Sequence, residues 1–368
     1  MRLDFFRQLR SADWILILAA FTLVSFGLAA IYSVELSHGT TDFLNIQKQG
    51  ASAVIGATLF LLIACSNYHL LRNYATVLYA AGLSLLGGVL VFGATVNGTK
   101  GWYAVAGFSF QPVEFMKLAL AVALAAYFSR RARLEFGWRE LIESGALTAV
   151  PVGLVLLQPD LGSAVLLMGM WGILVLFAGI KRRQLVALAV VAAIVGAVAW
   201  QFLLAPYQKD RILTFADPTA DPLGQGYNVA QAMIAVGAGG WFGSGLGFGS
   251  QSQLKFLPES QTDFIFSVIA EELGFFGVAL LLGAFLVLFF RVWRIAKKTN
   301  DDFTGFLLIG IGAVLFVQFF INAGMNLGVL PVTGVALPLV SYGGSSLVFT
   351  LLMLGIVESV AMRERGNG

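Results

Sequence analysis

Residues 14–34 read WILILAAFTLVSFGLAAIYSV, an apolar run that contains no charged side chain. An α-helix rises about 1.5 Å per residue, so a run of roughly 20 residues crosses the hydrocarbon core of a bilayer, which is about 30 Å thick. Runs of similar length recur along the rest of the chain. The sequence therefore predicts an integral membrane protein built from transmembrane helices.

The composition agrees with this prediction. Of 368 residues, 58% are hydrophobic and 12% are charged, whereas an ordinary soluble domain has about 25% charged residues. Cys65 is the only cysteine, and His38 and His69 are the only histidines. These counts exclude a disulfide framework and a cysteine zinc site, and they leave little material for a histidine metal site or a Ser-His-Asp triad.

The apolar runs predict an all-α polytopic fold of about ten transmembrane helices, with both termini on the same side of the membrane. The predicted spans are 14–34, 49–65, 75–95, 112–128, 141–157, 163–180, 184–205, 264–290, 303–323 and 344–361. No repeat, linker or shift in composition divides the chain. We therefore expect residues 1–368 to form one domain.

Lysine and arginine set the orientation, because cytoplasmic loops are enriched in both. Of the 23 basic residues, 17 fall in alternate segments, and these segments are predicted to be cytoplasmic together with both termini. The 17 are Arg2, Arg7, Arg10, Arg72, Arg130, Arg131, Arg133, Arg139, Lys181, Arg182, Arg183, Arg291, Arg294, Lys297, Lys298, Arg363 and Arg365. This arrangement explains the basic residues as determinants of topology, and no nucleic-acid partner is expected.

The one long loop, residues 206–262 between spans 7 and 8, then faces outward. It has nine glycines between Gly224 and Gly249. Its apolar segment Tyr227–Ala238 is too short to span a bilayer and is typical of a helix that lies on the membrane surface. A long loop with structure of its own is usually functional, so we expect it to contribute to a site.

Polar residues at the outer ends of spans are the candidates for chemistry, since such residues are costly in a membrane. Glu114 and Lys117 are three residues apart on span 4 and share a helix face. They form either a structural ion pair or a polar cavity in which Lys117 faces a substrate phosphate. Asp160, in the turn between spans 5 and 6, either caps a helix or binds substrate.

Asp263 lies at the predicted outer mouth of span 8. If the helix is regular, Glu271 lies about 12 Å deeper and within about 80° of Asp263, while Glu272 points away. The alternative for Asp263 is a helix N-cap, and the alternative for both glutamates is hydrogen bonding inside the bundle.

The last outer segment, Leu330–Ser346, repeats prolines and glycines at membrane level. Irregular backbone at that depth persists only when it is buried in protein or lines a wet cavity. Gly343 and Gly344, which precede span 10, either present N–H groups to an anion or allow close helix packing.

Together these stretches resemble the SEDS family (shape, elongation, division and sporulation), which includes RodA, FtsW and SpoVE. The family pattern is approximately GAxRW, QPSExxK, QPDLG, DPxGxGY, FLPExHTDFIF, AEExG and PxTGxxLPxxSYGGSS. The corresponding segments are Gly98–Trp102, Gln111–Lys117, Gln158–Gly162, Asp221–Tyr227, Phe256–Phe266, Ala270–Gly274 and Pro331–Ser346. Each motif alone is weak, but seven in the same order along nearly the whole chain are very specific.

Four positions depart from the family pattern: Gly101, Val113, Ala232 and Gln261 replace Arg, Ser, Ser and His. Gly101 matters most, because an outward arginine is a natural ligand for phosphate, and the adjacent Lys100 offers charge without bidentate geometry. Segments 253–259 and 330–334 look more like the RodA branch of the family than the FtsW branch.

The resemblance implies a glycosyltransferase that polymerises lipid II on the outer face of the bacterial cytoplasmic membrane, with inversion, for cell elongation and shape. It implies Asp263 as the general base and a class B penicillin-binding protein as partner. The prenyl chains would lie in apolar grooves beside membrane lipid. The candidate substrate-binding residues are Lys100, Trp102, Glu114, Lys117, Asp160, Arg211, Lys255, Glu259, Thr262, Glu271, Ser341, Gly343, Gly344 and Ser345.

Three alternatives stay open: a lipid II flippase, a purely structural scaffold, and a polymerase for division or sporulation. Chemistry at the surface is favoured over transport across the full depth of the membrane, because the charged candidates cluster toward its outer half: Glu114, Lys117, Asp263 and Glu271. A divalent cation, Mg²⁺ or Mn²⁺, could assist the leaving pyrophosphate, and the sequence does not decide this point.

Overall fold

The computed structural model describes residues 11–36, 43–96, 99–105, 108–132, 135–204, 206–216 and 224–366. Several predictions fall on other residues. Arg2, Arg7, Arg10 and Arg133, which contribute to the predicted orientation, lie outside the described residues, as do Gly98 and residues 221–223 of the motifs.

All ten predicted spans are helices. The helices are α1 (Trp14–Leu36), α2 (Leu44–Cys65), α3 (His69–Asn73), α4 (Ala75–Phe92), α5 (Pro112–Ser129), α6 (Trp138–Leu156), α7 (Leu161–Phe177), α8 (Arg182–Val198), α9 (Pro206–Ala216), α10 (Gln225–Ala238), α11 (Ser250–Gln253), α12 (Ile265–Lys298), α13 (Asp302–Asn326) and α14 (Gly344–Gly366). A π-helical turn, Ala199–Leu203, extends α8. The all-α membrane fold is thus confirmed.

Eight helices of the described chain are long and apolar enough to cross a membrane: α1, α2, α4, α5, α8 with its π turn, α12, α13 and α14. The other two predicted spans are weaker. α7 is apolar but has only 17 residues, and α6 has three charged residues, Arg139, Glu140 and Glu143, in its first two turns. Ten spans and the side on which the termini lie therefore stay predictions.

α5 is the centre of the bundle. Its side chains are buried on almost every face, and it packs between α4 and α13. A helix that is apolar all round is expected at such a central position. α13 also packs on α7 and α12, while α14 packs on α2 and α1 on α12. Since α5 and α13 adjoin each other, polar residues on their facing sides can meet inside the bundle.

A small sheet between α4 and α5 was not predicted. Its strands β1 (Ala94–Val96), β2 (Thr99–Val105) and β3 (Phe108–Phe110) are antiparallel in the order β1-β2-β3. It carries Lys100 and Trp102, so these two candidates lie on a strand rather than on a loose loop.

The expectation of one regular helix through Asp263, Glu271 and Glu272 is wrong. α12 begins only at Ile265, so Asp263 lies outside it. Beyond Glu271 and Glu272, the chain leaves helical geometry at Gly274, where φ is 63° and ψ is −162°. The projection of Glu271 onto the same helical face as Asp263 therefore does not hold.

At the break at Gly274, the glycine-rich segment 239–249 provides the hydrogen-bond partners that the helix backbone lacks. Ser244 and Gly245 donate their N–H groups to the carbonyls of Glu271 and Glu272, at 3.0 and 2.9 Å. In return, Phe275 donates its N–H to the Gly240 carbonyl at 2.8 Å. Backbone groups that cannot pair within the helix must be satisfied elsewhere at membrane depth, and this segment satisfies them.

Candidate active site

Asp263 stands at the end of a tight loop just before α12. The Glu259 carbonyl accepts hydrogen bonds from the N–H groups of Thr262, Asp263 and Phe264, at 3.1, 3.1 and 3.2 Å. The N-cap of α12 is Phe264, with no side-chain capping bond. The alternative that Asp263 is a helix cap is therefore wrong, and its carboxylate is left for another role.

The Asp263 carboxyl group is half-buried. Desolvation, followed by the negative charge of Glu259, raises its pKa to about 6, while the Arg211 charge and the Thr262 hydroxyl oppose the rise. A Cβ added at Gly334 would lie 3.6 Å from Asp263 Oδ2. The carboxylate therefore faces the irregular segment before α14, with a pKa close to that of a useful general base.

Glu114 and Lys117 form an ion pair on α5, with Nζ 2.7 Å from Oε2 and side chains 7% and 2% exposed. Lys117 also donates to Gln318 Oε1 at 3.2 Å. Burial makes such a pair hard to break, because either partner alone would be an uncompensated charge. Lys117 is thus fixed in place by α5 and α13.

Sequence reasoning missed three buried carboxamides on one face of α13. Gln318, Asn322 and Asn326 are 2%, 0% and 0% exposed. Gln318 donates to the Ala336 carbonyl at 2.9 Å, and Asn322 donates to the Val335 carbonyl at 2.8 Å. Their spacing of four residues in an apolar run was a readable signal, since such residues share a helix face.

The face of α13 that carries the three carboxamides contacts both Lys117 and the main chain of Asp263. Gln318 contacts Lys117, and one turn away Asn322 donates to the Asp263 main-chain carbonyl at 2.9 Å. One turn of helix spans about 5.4 Å. The predicted base and the predicted cation are therefore held by neighbouring turns of the same helix.

Ser341 ties the loop of Asp263 to the last outer segment. Its hydroxyl donates to the Thr262 carbonyl at 2.5 Å and accepts from Leu337 N–H at 2.8 Å. Tyr342 N–H donates to the Gln261 carbonyl at 2.8 Å. Pro331–Ser346 and Phe256–Phe266 thus meet, although they lie far apart in the sequence.

The two glycines before α14 are engaged in packing. Gly343 donates its N–H to Gln49 Oε1 at 3.1 Å, and a Cβ at Gly344 would come within 2.8 Å of Ser52 Oγ. Ser345 donates to the Ser109 carbonyl at 2.7 Å, which joins β3 to α14. The geometry of this turn favours close helix packing over an exposed anion site.

Asp160 and Glu271 hold local structure with their carboxylates. Asp160 caps α7 by accepting from Ser163 N–H at 2.9 Å and from its hydroxyl at 2.7 Å. Glu271 accepts from the N–H groups of Gln251 and Ser252, at 2.7 and 3.2 Å. The cap interpretation of Asp160 and the hydrogen-bonding interpretation of Glu271 therefore describe their observed contacts.

Lys100 and Trp102 lie on β2, and Lys255 lies just before the loop that contains Asp263. Lys100 Nζ donates to the Val91 carbonyl at 3.4 Å, and Trp102 pairs with Ala94 across the sheet. Lys255 is exposed and has a φ of 62°. Gly101, the position of the family arginine, is buried, and a Cβ there would lie 3.4 Å from Gln158 Oε1.

Arg211, Glu259 and Thr262 all interact with the Asp263 carboxylate. Arg211 lies on α9, and its charge reaches Asp263. Thr262 Oγ1 donates to Glu259 Oε2 at 3.0 Å. Within the described part of the chain, no three His, Cys, Asp or Glu side chains cluster as a metal site. A divalent cation here would need oxygen ligands from a substrate phosphate as well.

A family model described as "Cell cycle protein", covering FtsW, RodA and SpoVE, matches residues 13–366. The chain belongs to this family. Stage V sporulation protein E of Bacillus subtilis (strain 168) is 36% identical over 366 residues, which cover 96% of this chain and 98% of the relative. Peptidoglycan glycosyltransferase MrdB of Escherichia coli (strain K12) is 38% identical over 324 residues, which cover 87% and 86%.

Solved structures are also similar over the whole fold. A chain from a peptidoglycan synthase complex has a TM-score of 0.81 and 34% identity, and the match covers 97% of this chain and 99% of that one. The crystal structure of the rod shape determining protein RodA of Thermus thermophilus has a TM-score of 0.71 and 31% identity, with 96% and 97% covered.

These similarities confirm the SEDS family predicted from the seven motifs, together with the glycosyltransferase class of enzyme. They do not separate the branches of the family, because relatives with sporulation and glycosyltransferase names match to a similar degree. The preference for the RodA branch stays a prediction.

Proposed function

We propose that this chain polymerises lipid II into glycan strands at the outer face of the bacterial cytoplasmic membrane, with Asp263 as the general base. The observation that carries the proposal is the Asp263 carboxylate, half-buried, with a raised pKa, and held against the segment that contains Gly334. The names of its relatives and the order of its motifs support the same chemistry.

In the proposed step, the acceptor sugar hydroxyl attacks the anomeric carbon of a donor that is linked to a polyprenyl pyrophosphate. A β-1,4 C–O bond forms while the bond to the pyrophosphate oxygen breaks, so the configuration inverts. Asp263 takes the hydroxyl proton. One carboxylate suffices because pyrophosphate is a good leaving group, unlike the poor leaving oxygen in glycoside hydrolysis.

The leaving pyrophosphate needs positive charge nearby. Lys117 is one candidate, although it is buried and Glu114 neutralises much of its charge. Arg211 acts close to Asp263, and Lys100 and Lys255 are the remaining basic candidates. We assign Asp160, Glu271, Gly343 and Ser345 to the scaffold of the site, because their polar groups already have protein partners.

We also propose a transpeptidase partner, a class B penicillin-binding protein. One structural neighbour belongs to a peptidoglycan synthase complex in which polymerization and crosslinking are coordinated. The two activities act in turn on the same strand, so a polymerase beside a crosslinking enzyme hands over its product directly. In cells, we assign the chain to elongation and shape, as the motifs near residues 253–259 and 330–334 suggest.

The test uses purified protein, with and without this partner, incubated with lipid II and analysed on a gel for glycan strands. We expect strands from the wild type. Asp263→Asn keeps size and hydrogen bonding but removes the base, so polymerisation should fall at least about 10²-fold. Binding of lipid II should change little.

Thr148→Val serves as the control, because it removes a buried hydroxyl of α6 outside the site. It should keep full activity. Glycan synthesis at the wild-type rate by folded Asp263→Asn protein would end the case for Asp263 as the base. If the chain were instead a flippase, neither the wild type nor Asp263→Asn would make glycan strands, and the variant would still move lipid II across the membrane.

A further inference from the structure

The side chain of Asn326 occupies the place of a missing helical hydrogen bond. In a helix that included Asp263, the N–H of Ser267 would donate to the Asp263 carbonyl four residues earlier. Instead, Asn326 Oδ1 accepts from Ser267 N–H at 3.2 Å, and Asn326 Nδ2 donates to the Asp263 carbonyl at 2.9 Å. The carboxamide thus stands between a donor and an acceptor that would otherwise meet.

Neighbouring contacts make this arrangement firm. The Ser267 hydroxyl also donates to Asn326 Oδ1, at 2.7 Å, while its N–H is shared with the Phe264 carbonyl at 3.0 Å in a tighter turn. Asn326 is fully buried. Water therefore cannot easily take over these bonds, and a buried polar group left without a partner is costly.

Asn322 provides a second donor to the same carbonyl. Its Nδ2 lies 2.9 Å from the Asp263 oxygen and 2.8 Å from the Val335 oxygen. A carbonyl has two lone pairs, and here both have a donor, so the peptide plane after Asp263 is fixed. The contact with Val335 ties that plane to the segment that the carboxylate faces at Gly334.

We propose that Asn322 and Asn326 are positioning residues for the reaction: they hold Asp263 out of α12 so that its carboxylate faces the segment around Gly334. The inference rests on the proposed role of Asp263 as base. Neither asparagine touches the carboxylate, and both act through its main chain. Without them, Ser267 N–H can pair with the Asp263 carbonyl, α12 gains a turn, and the carboxylate swings away.

The experiment compares Asn322→Leu and Asn326→Leu, which keep the size of the side chain, with Thr148→Val as control. Each purified protein is assayed with lipid II for kcat, KM and the pH dependence of the rate. Because a displacement of about 1 Å can cost roughly 10²-fold, we expect kcat to fall by about that factor. KM should stay near the wild-type value, and the acid limb of the pH profile should move.

The results that would overturn the inference differ in what else they reject. If Asp263→Asn is inactive while the folded leucine variants keep wild-type kcat and pH profile, positioning is wrong and the base assignment stands. If Asp263→Asn is active, the base assignment itself fails. Should the leucine variants not fold, Asn322→Ser is used, because its short hydroxyl cannot reach the Asp263 carbonyl. Wild-type kcat in that variant would likewise overturn the inference.

Discussion

At the scale of single residues, the surroundings of Asp263 set the pKa of its carboxyl group. Burial comes first and the Glu259 charge second among the causes that raise its pKa to about 6, and Arg211 and Thr262 act in the opposite direction. A general base must be ionised to accept a proton. In its proposed role, Asp263 acts only in its ionised form, which is lost as the pH falls through about 6.

We predict that kcat/KM rises with pH through about 6 and then levels off, as expected for one ionised carboxylate. Glu259→Gln removes the neighbouring negative charge, lowers the pKa of Asp263, and should move this limb to lower pH. Steady-state rates across the pH range, measured for both proteins, check this.

A limb at the same pH in both proteins would show that Glu259 does not act on the group that titrates.

The raised pKa of Asp263 also makes the stability of the fold depend on pH, in the opposite direction. Because the folded-state pKa is raised, the stability that Asp263 contributes is complete below about pH 4 and is lost as the pH rises through about 6.

At the scale of elements, the break in α12 depends on Gly274. Its φ of 63° with ψ of −162° lies in a region that is essentially restricted to glycine, and an added Cβ would lie 2.3 Å from Gly243 N. A side chain at residue 274 would therefore disturb the hydrogen bonds that join segment 239–249 to the helix.

We predict that Gly274→Ala lowers the free energy of unfolding by at least about 1–3 kcal/mol, the usual cost of one strained backbone conformation. Gly283→Ala is the matched control on the same helix, since nothing lies within 4 Å of its added Cβ. It should be neutral or slightly stabilising. Thermal unfolding in detergent compares the two, and equal midpoints would contradict the account.

The elements show what the sequence could and could not predict. The spans follow from apolar runs, which are a local signal. The break at Gly274 depends on Gly240, Ser244 and Gly245, which are distant in sequence, and a glycine inside an apolar run looks like ordinary helix. The strands β1 and β3 have three residues each, too few for a pattern of alternation.

The site was predictable in part for similar reasons. Asp263 and the pair Glu114–Lys117 belong to motifs, so the sequence named them as candidates. Asn326 was missed because the predicted span ended at residue 323, whereas α13 continues to Asn326. Its role depends on a contact with a loop about 60 residues earlier, and no local pattern contains that contact.

At the scale of the whole molecule, the distribution of Lys and Arg predicts the orientation. A reporter fused after Arg131, Arg183 or Lys298 should report cytoplasm, and one within residues 217–226 should report the outside, because basic segments are retained inside. Alkaline phosphatase and green fluorescent protein fusions at the same positions give complementary signals. An outside signal at Lys298 would place Asp263 on the wrong face for the proposed reaction.

α8 differs from the other apolar helices, because none of the side chains in its apolar window is buried within the described chain. The tilt of an exposed helix depends on the thickness of the surrounding hydrocarbon. From α8 the chain runs on to α9, whose Arg211 charge acts on Asp263. We therefore expect the thickness of the bilayer to influence the site: a different tilt of α8 would move α9, and with it the Arg211 charge that lowers the pKa of Asp263.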